Sequence, residues 1–165
     1  MLKRRSNEGN GSMPIRLGLL SGWHKLVITG GPYDYFQPDE EWFGVCVRSE
    51  RVPERGVGHH LPIEDSQVPE DEDAVREALK AAFTAALKGR KVYVGCLGGV
   101  GRTGLFLALM AKAAGIENPV RYVRENFIPH AIETERQQDY VAKFDVWAVS
   151  QWLRSAGWKA RFGKL

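Results

Sequence analysis

The sequence predicts an α/β fold, a central sheet with parallel strands flanked by helices. Three observations point to it. The apolar segment Phe43–Val47 reads as a buried strand, a helix-period segment follows Asp71, and a short β-rich run begins at Lys91. Strand, helix, strand in that order implies a parallel pair joined by a right-handed crossover. A glycine-rich loop, 96–104, then leads directly into an apolar stretch that ends at Gly115. Finally, 165 residues of 44% hydrophobic and 26% charged composition suit one packed domain rather than two.

The elements follow in order. Residues 1–13 are rich in charge, Asn, Gly and Ser and read as a flexible tail. Residues 14–157 form the expected single domain. Its first part, to Pro38, is cut by glycines and prolines into short strands and turns and matches no motif. Phe43–Val47 is the first firm strand, followed by a charged turn at 48–55. His60–Ile63 is a further extended piece, which Pro62 keeps from the sheet centre. Asp71, Glu72 and Asp73 put negative charge at a helix start, where the dipole favours it. Val75, Leu79, Ala82, Phe83, Ala86 and Leu87 share one face of that helix, and Gly89 stops it.

Lys91–Gly95 is the next strand, and 105–115 is a central buried helix. Asn118-Pro119 opens another helix, to about Glu125, with Pro at the first helical position. A last helix is expected from Glu133–Arg136 onward, with Tyr140, Phe144, Trp147 and Trp152 packing from near one face. Residues 158–165, with Trp158, Lys159, Arg161 and Lys164, read as a basic surface tail.

Composition excludes several classes. A net charge of +3 is mild for a dedicated nucleic-acid binder. Two cysteines make no disulfide scaffold and suit a reducing compartment. The longest apolar stretch, Leu105–Ala111, is far below the ~20 residues a membrane-spanning helix needs. The basic start has no apolar region long enough for a secretory signal. A cytoplasmic monomer without membrane contact is expected.

The chemistry concentrates in Cys96-Leu97-Gly98-Gly99-Val100-Gly101-Arg102-Thr103-Gly104. Between a buried strand and a buried helix start, such a loop turns a row of backbone N–H groups toward one point, and the helix dipole adds to them. Leu97, Gly98, Gly99, Val100 and Gly101 thus offer a cradle for a tetrahedral dianion, with glycines permitting its curvature. Arg102 can grip two phosphate oxygens with its planar fork. Helix N-termini and a neighbouring Arg favour thiolate over thiol at Cys96, a nucleophile that forms covalent intermediates readily. Thr103 is placed to hydrogen-bond the sulfur.

The loop resembles the signature of the cysteine-dependent protein tyrosine phosphatase superfamily, Cys-x-x-Gly-x-Gly-Arg-Ser/Thr-Gly, at every specified position: Cys96, Gly99, Gly101, Arg102, Thr103 and Gly104. A Walker-type loop would need a Lys that is missing here. One position departs: the family usually has His before the nucleophile, where this chain has Gly95. The resemblance implies a three-layer cysteine-phosphatase-like fold of the compact dual-specificity or atypical group.

Two further segments come in the order that family uses. His60-Leu61-Pro62-Ile63-Glu64-Asp65-Ser66-Gln67-Val68-Pro69 resembles its general-acid loop and puts Asp65 at the acid position, with Glu64 the competing carboxylate. Ala131-Ile132-Glu133-Thr134-Glu135-Arg136-Gln137-Gln138-Asp139-Tyr140 resembles its Ile-Glu-Thr-x-x-Gln stretch. There Gln137 takes the place of the Gln that positions the hydrolytic water, and Tyr140 that of an aromatic. The resemblance spans about residues 42–141.

The implied activity is hydrolysis of phosphotyrosine, and of phosphoserine or phosphothreonine, in phosphorylated proteins or peptides through a phosphocysteine intermediate, with no cofactor and no metal. The alternatives are a phosphoprotein-binding module without turnover, an RNA 5′-triphosphatase, or a phosphoinositide phosphatase. Uncharged Leu97, Gly98 and Val100 favour phosphoprotein over a polyphosphorylated ligand. Cys46 is either core packing or, as in some family members, a redox partner that captures oxidised Cys96. His59 and His60 lack a third ligand for a metal. Tyr33, Tyr35 and Phe36 either wall a phosphotyrosine slot or clamp the early strands.

Overall fold

The computed structural model describes residues 7–19 and 22–165. The strands are β1 (Gly11–Ser12), β2 (Ile15–Leu19), β3 (Gly22–Leu26), β4 (Ile28–Pro32), β5 (Trp42–Cys46), β6 (His59–His60) and β7 (Lys91–Cys96). Five of them form one sheet in the order β1-β4-β7-β5-β6, while β2 and β3 pair as a separate antiparallel hairpin. Within the five-stranded sheet β4, β7, β5 and β6 run parallel, and β1 is antiparallel to β4. Pro32 pairs with Cys96, and Cys46 with Gly95, so three strands end together at one edge. In open parallel sheets that carboxyl edge is where ligands bind.

The helices are α1 (Glu72–Leu87), α2 (Gly101–Ala113), α3 (Pro119–Asn126), α4 (Glu135–Lys143) and α5 (Trp147–Arg161). Asp71 caps α1, its carboxylate accepting from the Asp73 and Ala74 N–H groups at 3.0 and 3.1 Å. Asn118 caps α3, with Pro119 at its start. Each cap satisfies a donor the helix itself leaves unpaired.

Strand alternation sorts the sheet into two unlike faces. Ile28, Val45, Val47, Val92, Val94 and Cys96 join a continuous core with residues of all five helices. Tyr93 and Cys46 lie in a second, smaller cluster with Tyr33 and Phe36. The layer on that side is supplied by the 3-10 turn at Tyr33–Tyr35 and the residues around it. The predicted class holds: a mixed α/β fold with a mostly parallel sheet flanked by helices.

Three boundaries differ from the sequence reading. Residues 7–13, read as part of a tail, are bound into the domain. Asn7 exchanges two hydrogen bonds with the Gln37 backbone at 2.8 and 2.7 Å, Gly11 and Ser12 pair with β4, and Met13 is buried. Polar composition concealed them because they bind through backbone and amide groups.

The last helix is two helices. Lys112 of α2 donates to the carbonyls of Val141, Ala142 and Phe144 at 2.8, 3.0 and 2.7 Å, satisfying the end of α4. Phe144 turns extended there. Trp147, read as a core aromatic, is 68% exposed. The basic tail begins later than position 158, since α5 continues through Arg161, with Trp158 exposed and packed on Phe162.

Candidate active site

Cys96 ends β7, and α2 opens five residues later at Gly101. The thiol sits inside that turn. Its Sγ accepts from the Gly99 N–H and the Thr103 hydroxyl, both at 3.2 Å. The Thr103 Oγ1 in turn accepts from the Cys96 N–H at 2.9 Å. Gly99 has φ +73, a conformation L side chains rarely adopt, and a Cβ there would run into the Gly31–Pro32 backbone. Leu97, Gly98 and Val100 complete the turn, with the Leu97 side chain exposed at its rim.

Arg102 is buried and heavily engaged. Its Nη1 and Nη2 donate to the two carboxylate oxygens of Glu50 at 2.7 and 2.6 Å, and Nη1 also donates to Ile63 O at 2.9 Å. This fork-to-fork pair fixes the guanidinium plane. It holds the Glu50 carboxyl down at about 2 and pushes Arg102 up. Sequence reasoning missed Glu50, which it left in a charged turn. The signal was available in part: the turn follows β5 at the same sheet edge as Cys96, and a buried Arg requires an acidic partner.

Asp65 lies 3.6 Å from Arg102 Nη2 with its side chain 80% exposed. That contact separates it from Glu64, which lines a groove of about 480 Å³ beside the loop together with Leu61, Gln67 and Arg136. Gln67 ties the acid loop to α4 twice. Its Oε1 accepts from Arg136 Nη1 at 2.7 Å, and its backbone carbonyl accepts from Gln137 Nε2 at 3.3 Å. Gln137 is fully buried and forms a reciprocal cap with Thr134. Its Oε1 comes near Gly101: a Cβ added there would sit 3.3 Å from it. The structure therefore gathers Cys96, Arg102, Thr103, Asp65 and Gln137 around one loop.

It does not gather Cys46. The register Cys46–Gly95 puts its side chain in the cluster with Tyr33, Phe36 and Tyr93, while Cys96 packs with Val45, Val47 and Val94 on the other face. Cys46 is packed in the core in this structure, and burial pushes its thiol up. Tyr33 and Phe36 are buried against Cys46 of β5 and Tyr93 of β7 rather than on the early strands, and Tyr35 is exposed. His60 Nε2 bonds with Arg48 O at 2.8 Å. At Gly95, a Cβ would lie 2.8 Å from Gly31 O and 2.9 Å from the Tyr33 Cα, so the place of the usual His is filled by backbone.

Known proteins resemble this chain in sequence and in fold. Residues 39–150 match the family described as Swiss Army Knife protein, DSP-PTPase phosphatase domain. Two uncharacterized proteins of Methanocaldococcus jannaschii are each 38% identical over 108 residues, covering 64% of this chain and 71% and 66% of theirs. Tk-PTP in its active form is similar in structure, with TM-score 0.56 and 22% identity over 72% of this chain and 89% of that one. Kinase associated phosphatase with serine at its catalytic-site cysteine gives 0.55 and 22% over 81% and 94%. At such identities the two structures speak for the fold.

Proposed function

The chain belongs to the DSP-PTPase phosphatase domains of the Swiss Army Knife type, within the cysteine-dependent protein tyrosine phosphatase superfamily, and on that premise we propose that it removes phosphate from phosphotyrosine in proteins, and secondarily from phosphoserine and phosphothreonine. The observation that carries the reading is the cradle itself: a thiol under an inward N–H and a hydroxyl, beside a guanidinium locked in plane.

The Cys96 sulfur attacks phosphorus in line, forming S–P as the ester P–O bond breaks. Glu50 occupies the Nη1–Nη2 edge of Arg102, which leaves the Nε–Nη2 edge for two equatorial oxygens. Loop N–H groups meet the charge that develops on those oxygens. Asp65 gives its proton to the leaving oxygen. It then takes one from a water held by Gln137, and that water displaces the thiolate, which the Thr103 hydroxyl stabilises. Inorganic phosphate leaves and Asp65 is protonated again.

Uncharged Leu97, Gly98 and Val100 support a phosphoprotein over a polyphosphorylated ligand, because no cation in the turn awaits a second phosphate. The groove beside the acid loop gives a peptide room to lie. The test is hydrolysis of an aryl phosphate by purified protein, followed by phosphopeptides, inositol phosphates and triphosphate-ended RNA at equal concentration. Phosphotyrosine peptide should have the highest kcat/KM. Faster turnover of RNA or inositol phosphates would overturn the substrate assignment. Phosphopeptide binding without any turnover would make the chain a binding module.

A further inference from the structure

A peptide group carries its C=O and its N–H on opposite sides, so whatever holds a carbonyl outward holds the next N–H inward. In the phosphate loop the inward group is the Gly99 N–H, on Cys96 Sγ at 3.2 Å. The carbonyl of that same peptide, Gly98 O, accepts from Asn10 Nδ2 at 3.0 Å. The next carbonyl, Gly99 O, accepts from the same nitrogen at 3.1 Å. Gly98 and Gly99 have no side chains to bias the peptide between them, and Gly98 has open space around it, so that peptide's orientation is set by its hydrogen bonds.

Asn10 is itself anchored. Its N–H donates to Gly30 O at 2.7 Å, and Asn7 holds the segment to Gln37. Gly9, at φ +57, lets the segment press on the Gly30 backbone. From inside the sheet no side chain can reach the loop at Gly95, where a Cβ meets Gly31 and Tyr33. The outward clip comes instead from a residue 89 positions away in sequence.

We propose that Asn10 is a positioning residue of the phosphate loop, its side-chain amide holding the Gly98 and Gly99 carbonyls outward so that the Gly99 and Val100 N–H groups face the bound oxyanion. The activity readout rests on the phosphatase reading; the anion-binding readout does not.

The test compares the full chain with Asn10→Ala, Asn10→Asp and Asn10→Gln. Inorganic phosphate and vanadate binding are measured by calorimetry, and kcat and KM on an aryl phosphate, with melting temperature alongside. Asp has the shape of Asn, but its carboxylate only accepts. Removing one oxyanion donor outright costs about 10²–10³ in kcat, so loosening two of them should weaken anion binding and kcat/KM by about ten- to a hundredfold in Asn10→Ala. Asn10→Asp should be at least as impaired, and Asn10→Gln, which keeps both donors, should recover part of the loss. Wild-type anion affinity in Asn10→Asp would overturn the proposal, because shape alone would then suffice. So would Asn10→Ala within twofold of wild type, or Asn10→Gln no better than Asn10→Ala. If the wild type binds phosphate but turns nothing over, the function fails while the affinity series still decides the role of Asn10.

Discussion

The phosphate loop is held in two different ways on its two flanks. Toward β5 and the acid loop the contacts are charged: Arg102 on Glu50, on Ile63 O and beside Asp65, with Gln67 fastened to Arg136 and Gln137. Toward β4 and the N-terminal segment, Gly95 and Gly99 meet Gly31, Pro32 and Tyr33 with no room for a Cβ, and a single amide clips the outside. A charged flank can be weakened by degrees, through protonation or removal of one partner. A flank of backbone against backbone has no such intermediate, because packed interiors yield little before something must move. Chemistry belongs to the first flank and shape to the second.

The largest expected effect falls between the flanks. Cys96→Ser should abolish turnover, since a serine hydroxyl is not ionised at neutral pH, yet both flanks survive and phosphopeptide binding should persist. Residual turnover near the wild-type rate would remove the nucleophile from the scheme. On the charged flank, Asp65→Asn should lower kcat by about 10²–10⁴ for a poor leaving group. The loss should shrink for an aryl phosphate whose leaving group is already acidic. Glu64→Gln should stay within a few-fold of wild type, and the reverse pattern would move the acid by one residue.

The shape flank is tested by restoring the family's usual residue. Gly95→His places a Cβ 2.8 Å from Gly31 O, and overpacking of that kind costs about 1–3 kcal/mol. Melting temperature and kcat should both fall. A variant that is faster and equally stable would show that the flank tolerates what its geometry excludes.

The smallest effect is a change of pH slope. The Glu50 carboxyl lies at about 2, against its ordinary 4.5, because of Arg102. A carboxyl depressed on folding contributes stability that is complete above its unfolded value and is lost as pH falls toward its folded one. Glu50→Gln should therefore flatten the acid side of the stability curve between pH 4.5 and about 2. Identical slopes in chemical denaturation across that window would mean that the pair contributes nothing to folding.

Features set by neighbours along the chain could be read from residue order alone. The parallel strand–helix–strand unit, the Cys96–Gly104 turn and the starts of α1 and α3 were legible because periodicity, caps and glycines act over a few residues. Asp65 and Gln137 were legible by motif, although their neighbourhood was not. Long-range partners emerged with the fold. Glu50 reaches Arg102 across 52 positions, and Asn10 reaches Gly99 across 89. Lys112 ends α4 from another helix, and strand register turned Cys46 away from Cys96. Each of these depends on which segments the sheet brings side by side. A polar residue in a turn looks the same in sequence whether it meets water or a buried charge, because the difference lies in a partner that arrives from far along the chain.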